Sequence, residues 1–158
     1  MIVVADSGPL HYLILLDYID LLEVSTAGSS YQRPCELSAA GAPPTMRDWI
    51  LRPLSWVTVV PVALEAVETI TDNLDLGERS AISLATTRGA DLLLIDETAG
   101  RAEARRRNLR VTGTLGVLRA GAERGLVNVP ALIGRLKTTS FYVDDAFVNA
   151  IFQRWLKP

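Results

Sequence analysis

The sequence holds one cysteine, Cys35, and one histidine, His11. A lone cysteine cannot close an internal disulfide or build a cysteine zinc site by itself, so a reducing, cytoplasmic setting is expected. Lysine is nearly missing: Lys137 and Lys157 are the only two, and the other basic residues are arginines. There is no excess of positive charge. With a net charge of −2 and a pI of about 5.4, a nucleic acid has to be held by a local patch rather than by bulk attraction. No apolar stretch approaches the roughly 18 residues of a membrane span. Met1 to Ala5 is too short, and too bare of basic flanks, to read as a signal peptide. No repeat, low-complexity tract or interdomain linker is visible.

What remains is ordinary globular material. The 158 residues, 49% hydrophobic and 22% charged, fit one domain (1–158) with a real core and exclude a disordered chain. Ile2-Val3-Val4-Ala5 and Leu92-Leu93-Leu94-Ile95 are continuous apolar runs, the pattern of strands buried on both faces. A helix is expected over 10–22, a short strand over 23–26, a loop over 27–30, and a helix over 31–39 with Pro34 near its start. Gly41-Ala42-Pro43-Pro44 breaks the chain. A short helix over 45–51, an extended segment over 56–61, a short helix over 64–70 and a turn over 72–77 follow. Helices are then expected over 78–88, ended by Gly89, and over 98–108, 113–124, 130–137 and 144–156, with a strand over 109–112. Strands alternating with helices predict an α/β fold: three layers, α/β/α, around a mainly parallel sheet.

Both apolar strands run directly into acid, at Asp6 and at Asp96-Glu97. In open α/β sheets ligands bind beyond the carboxyl ends of the strands, so the two carboxylates are expected to face one crevice. An aspartate after a strand is also a common helix cap, and a first-turn glutamate such as Glu78 is favoured by the helix dipole alone. Clustered together, such carboxylates repel unless a cation compensates, and hard oxygen ligands suit Mg2+ or Mn2+.

The segments Val4-Ala5-Asp6-Ser7-Gly8-Pro9-Leu10, Glu36-Leu37, Leu74-Asp75-Leu76-Gly77-Glu78-Arg79-Ser80-Ala81-Ile82 and Leu94-Ile95-Asp96-Glu97, with Gly113-Thr114-Leu115-Gly116-Val117-Leu118 further on, resemble the blocks of PIN domains. The likeness runs from Ile2 to about Arg124, and more loosely to the last helix. It is similar in particular to a branch with an LDxGE-type block. The resemblance implies the PIN fold and a metal-dependent nuclease site in which Asp6, Glu36, Glu78 and Asp96 organise Mg2+ or Mn2+. Ser7 matches the small hydroxyl residue that follows the first aspartate, and is counted with the substrate-binding residues. Many relatives are toxins of bacterial toxin–antitoxin pairs that cut RNA. RNA, single-stranded or structured and tRNA or mRNA among them, and an antitoxin protein are therefore the implied partners.

Two positions depart from the family pattern. Glu78 stands where an aspartate is common, and Ile95 where a hydroxyl often precedes the fourth acid. They keep a second reading open, a PIN-like binding module with a weakened site that works through protein or nucleic-acid partners. A response-regulator receiver needs a lysine near the acids, and neither lysine is suitably placed. A haloacid-dehalogenase-type phosphatase needs a second aspartate two residues after Asp6, where Gly8 stands.

Arg101 and Arg105, four apart, share a helix face just past Asp96, and are read either as phosphate contacts or as a solvated face paired to Glu103 or Glu97. Arg106 and Arg107 point elsewhere on that helix. Tyr12, Tyr31, Trp49 and Trp56 are weighed as base-stacking residues or as core, and His11 as a packing residue. In the last helix Phe147, Ile151 and Trp155 recur every four residues beside Val148 and Phe152. This stripe is read as core, or as a surface for an antitoxin or for a homodimer, which is the expected assembly.

Overall fold

The computed structural model describes residues 1–26, 35–37, 46, 51, 54–62, 67–71 and 73–156. Five strands are described: β1 (Val3–Ala5), β2 (Cys35–Leu37), β3 (Val57–Val59), β4 (Leu92–Leu94) and β5 (Val111–Thr112). Seven helices are described with them: α1 (Ser7–Leu15), α2 (Leu21–Thr26), α3 (Leu76–Arg88), α4 (Thr98–Arg106), α5 (Thr114–Glu123), α6 (Val129–Leu136) and α7 (Asp145–Leu156). The sheet order is β3-β2-β1-β4-β5 and every pairing is parallel.

Why three layers form can be read from the strand residues. Side chains alternate across a strand, and here each face has its own core. Val3, Ala5 and Leu94 join the apolar cluster that holds Leu10 and Leu13 of α1, Leu118 of α5, Leu132 of α6 and Phe152 of α7. Val4, Leu93 and Ile95 join a second cluster with Ala81, Ile82 and Ala85 of α3 and Ala104 of α4. Helices therefore cover both faces of the sheet. A continuous apolar run such as Leu93-Leu94-Ile95, wholly buried, is what a strand covered on both faces requires.

Three local expectations are corrected. The helix expected over 10–22 is two helices, α1 and α2. α1 stops at Leu16, after which Asp17 takes left-handed backbone (φ 64°). The Asp17 N–H reaches the Ile14 carbonyl and the Tyr18 N–H the Leu13 carbonyl, closing the helix end as a glycine commonly does. The strand expected over 23–26 is instead the end of α2. Glu36, expected on a helix over 31–39, lies in strand β2, where it pairs with Val4 of β1 and Thr58 of β3. The remainder of that segment, the loop at 27–30, the break at 41–44, most of the helix expected over 45–51 and the first three residues of that expected over 64–70 fall outside the described residues; of the rest of the latter, 68–70 form a turn.

α3 begins at Leu76, two residues earlier than expected, because Asp75 caps it. Gly89 ends it in left-handed backbone (φ 59°), a conformation that suits glycine. Asn128 caps α6, its side chain accepting from the Ala131 N–H at 3.1 Å.

Candidate metal centre and adjoining cleft

The strand order reverses at β1, whose neighbours are β2 on one side and β4 on the other. The gap between the carboxyl ends of β1 and β4 is the switch point at which such sheets bind ligands. Asp6 follows β1 and Asp96 follows β4 by two residues.

The register sets these two acids out of step. Ala5 pairs with Leu94 and the Asp6 N–H bonds to the Leu94 carbonyl at 2.9 Å, so the residue alongside Asp6 is Ile95 and not Asp96. By alternation Asp6 continues the side of Val4, towards α3, and Asp96 the side of Leu94, towards α5. Their partners agree with this. Among the described residues the two carboxylates thus have separate partners, Asp6 the Gly8 and Ser7 N–H groups and Asp96 Thr114.

On the α3 side, Asp6 caps α1, its Oδ2 accepting from the Gly8 N–H at 3.2 Å. Its pKa is raised from 3.8 to about 6, chiefly by burial, against the lowering effect of the Gly8 and Ser7 N–H groups. The charges of Asp75 and Glu78 push it further up. Glu78, 6% exposed, stands in the first turn of α3. Its Oε2 accepts from the Asp75 N–H at 3.0 Å, while its Oε1 is buried with no hydrogen-bond partner among the described residues. Burial also raises its pKa, and the Asp75 and Glu97 charges add to that. Ser7 is buried at the start of α1, and its backbone N–H favours the ionised form of Asp6. Glu36 lies in β2, one strand over, and its side chain is outside the described residues.

On the α5 side, Asp96 is held by one residue. The Thr114 N–H donates to Oδ1 at 2.7 Å and the Thr114 hydroxyl to Oδ2 at 2.6 Å. Burial raises the Asp96 pKa, while these two bonds and the charge of Arg101 oppose the rise.

Asp96 also lines a cleft of about 1000 Å3 between α4, α5 and α7. Arg101 and Arg105 from α4, Arg119 from α5, and Tyr142 and Phe147 line it too. Glu103 does not pair with Arg101 or Arg105 as one reading had it. Its carboxylate is bound by Arg106 at 2.6 Å and by Arg107 at 2.8 Å, which hold its pKa down. Among the described residues Arg101 and Arg105 form no ion pair, which leaves two cations facing the cleft. Arg119 pairs with Glu123 at 3.1 Å. The apolar stripe of the last helix divides: Val148 and Phe152 are core, Ile151 and Trp155 pack partly against it, and Phe147 is 57% exposed in the cleft wall.

Tyr12 reaches Ser140 with its hydroxyl and packs edge-on against Phe141, and Trp56 packs against the core. His11 packs edge-on against Tyr12, and burial lowers its pKa. Tyr31 and Trp49 lie outside the described residues.

Is this a site for a divalent cation? The donors fit in kind. They are hard carboxylate oxygens, three of the carboxyls (Asp6, Glu78 and Asp96) are pushed towards neutrality by burial, and Glu78 Oε1 is a buried acceptor with no donor among the described residues. They do not close a cage alone: among the described residues no three His, Cys, Asp or Glu side chains stand together so as to hold a metal ion. Thr114, Asp75 and Arg119 were not singled out as site residues from the sequence. Thr114 had a signal, the Gly113-Thr114-Leu115 block, whereas Asp75 and Arg119 become visible only through contacts.

No helix among the described residues is long and apolar enough to cross a membrane. Compared with known families, residues 2–157 match a family described as a PIN domain. No curated protein and no solved structure matches the chain.

Proposed function

This chain belongs to the PIN-domain family, a family of nuclease-like fold, and from that premise we propose that it is a metal-dependent endoribonuclease. The observation that carries the reading is the set of acids past the carboxyl ends of β1 and β4, Asp6 and Asp96 half-buried and Glu78 buried with its Oε1 left without a hydrogen-bond partner among the described residues. Carboxylates whose surroundings oppose ionisation are suited to a compensating cation. Asp6, Glu36, Glu78 and Asp96 would hold Mg2+ or Mn2+, with Asp6 and Asp96 the primary contacts. A bound ion of this kind lowers the pKa of its water and neutralises a phosphate oxygen. Glu78, whose burial raises its proton affinity, is the group proposed to take the proton from the attacking water. Arg101 and Arg105 would grip phosphates of the strand, a role supported by their lining the cleft beside Asp96.

The substrate is proposed to be RNA in a cytoplasmic setting, tRNA or mRNA being the candidates the toxin likeness brings. The same likeness brings an antitoxin protein, and a homodimer, as proposed partners. The exposed Phe147 on α7 supports a protein surface there.

The test is cleavage of a mixed RNA pool with Mn2+, Mg2+ or EDTA by the wild type, Asp6→Asn and Asp96→Asn. Metal-dependent cutting that both substitutions abolish is the expected result, with circular dichroism unchanged. A second reading, a PIN-like binding module with a weakened site, rests on Glu78 standing where an aspartate is common and on Ile95 where a hydroxyl often precedes the fourth acid. Metal affinity without cleavage of any RNA, in folded protein, would decide for it.

A further inference from the structure

The geometry points to Thr114 as the residue that positions the Asp96 carboxylate for a divalent cation. The inference rests on the proposed role of Asp96 as a metal contact. Thr114 is fully buried (0% exposed) at the first position of α5. It donates to both oxygens of one carboxylate, through its N–H at 2.7 Å and its hydroxyl at 2.6 Å. Two short charge-assisted bonds from one rigid residue stop the carboxylate from rotating. Each carboxylate oxygen has a second acceptor direction, so the clamp aims Asp96 without saturating it.

The residue before it is part of the same device. Gly113 has ordinary extended backbone (φ −124°), so nothing in its conformation demands glycine. What demands it is space: a Cβ there would collide with Asp96 Oδ1 and stand 3.1 Å from an Arg101 guanidinium nitrogen. Gly113 clears the approach and Thr114 fills it with donors. The N–H also belongs to the positive end of α5, which adds to the attraction for an anion. Because α5 carries Arg119 into the cleft, the same helix orients the acid and lines the cleft beside it.

Partners that orient metal-binding carboxylates typically matter 10–100-fold for metal affinity. The experiment measures Mn2+ affinity by electron paramagnetic resonance for the wild type, Asp96→Asn, Thr114→Val, Thr114→Ser and Gly113→Ala, with thermal unfolding in EDTA run alongside. Thr114→Val keeps the shape and loses the hydroxyl, and is expected to weaken Mn2+ binding about 10-fold or more. Thr114→Ser restores the donor and is expected to stay within about threefold of the wild type, since it keeps both bonds. Gly113→Ala, with Thr114 intact, is expected to lose affinity as Thr114→Val does, and serves if the valine variant does not fold. Unchanged binding in either Thr114→Val or Gly113→Ala would overturn the inference, as would equal weakness of the serine and valine variants. A wild type that binds no Mn2+, or an Asp96→Asn variant that binds as well as the wild type, would overturn the metal reading of Asp96 itself and this inference with it.

Discussion

Asp75 and Glu78 cap each other: the Glu78 N–H donates to Asp75 Oδ1 at 2.8 Å, and the Asp75 N–H donates to Glu78 Oε2 at 3.0 Å. This reciprocal box needs a side chain at position 78 long enough to reach back three residues, which a glutamate or glutamine is. The departure from the aspartate common in the family thus has a local cause. One oxygen of Glu78 secures the start of α3, and the other is left buried and unpartnered near Asp6.

Glu78→Gln and Glu78→Ala separate these two roles. Glutamine can keep the box and removes a carboxyl whose ionisation burial opposes, so α3 is expected to hold and the melting temperature in EDTA to stay level or rise. Alanine leaves the Asp75 N–H without its acceptor and is expected to cost about 0.5–2 kcal/mol. Both variants lose the charge, so both are expected to lose Mn2+ affinity. Calorimetry on the three proteins, with and without Mn2+, checks the split. A glutamine variant with full affinity would remove Glu78 from the metal centre.

Asp6 makes stability depend on pH in a stated direction. Its pKa is about 6 in the folded chain and near 3.8 when unfolded. Between those values the folded state holds a proton that the unfolded state has released. The chain is therefore expected to lose stability as pH rises from 4 to 6, and to bear the full cost above that. A shift of this size corresponds to on the order of 3 kcal/mol. Asp6→Asn, with a side chain that still caps α1, is expected to be more stable than the wild type at pH 8 in EDTA and no more stable at pH 4. Since the carboxylate must ionise to meet a cation, Mn2+ affinity is expected to fall below about pH 6. Melting curves from pH 4 to 8 with and without Mn2+ test both halves. A wild type whose stability rises over that range relative to Asp6→Asn contradicts the burial argument.

Much of this was legible in the residues themselves. Apolar runs that end in acid pointed to two strands and their terminal aspartates, and the helices expected over 78–88 and 98–108 lie within two residues of Leu76–Arg88 and Thr98–Arg106 because caps and periodicity are local. Apart from the end of α1, the misreadings are non-local. β2 is three residues long and contains a charge, so nothing in its own pattern marks it; it is a strand because Val4 and Thr58 pair with Glu36 from far along the chain. The end of α1 lacks a glycine, and Asp17 takes the left-handed conformation in its place, which aspartate tolerates better than most residues. The offset of Asp6 from Asp96 is a register, and register is a relation between two strands that neither sequence carries.

The arginines of α4 make a prediction about salt. For a single strand, log K for RNA falls against log salt with a slope of about 0.7 per phosphate neutralised. Arg101→Ala and Arg105→Ala are each expected to lower binding and to reduce that slope by roughly 0.7, and the double variant by roughly twice as much. Arg106→Ala is the control, because Arg106 is engaged by Glu103 and does not line the cleft. Fluorescence anisotropy with a labelled RNA oligonucleotide in EDTA, over a salt series, reads the slopes. Equal slopes in Arg101→Ala and Arg106→Ala would take the RNA out of this cleft.

Two glycines in helices should respond oppositely to alanine. Gly100, in the first turn of α4, is buried, and a Cβ there would sit 2.5 Å from Ile95 Cδ1 and 3.2 Å from Glu78 Oε1. Ile95 is fully buried behind the sheet edge, and the Glu78 oxygen is the unpartnered one, so neither neighbour yields without disturbing the acids. Gly100→Ala is expected to destabilise by about 1–3 kcal/mol, the usual cost of overpacking, and to weaken Mn2+ binding with it. Gly134 lies on the exposed side of α6 with open space where a Cβ would go. There alanine meets nothing and restricts the unfolded chain, so Gly134→Ala is expected to stabilise by about 0.5–1 kcal/mol. Urea unfolding of the pair tests the packing of α4 against α3 independently of any activity. A Gly100→Ala variant as stable as the wild type would place α4 further from Ile95 and Glu78 than these contacts require.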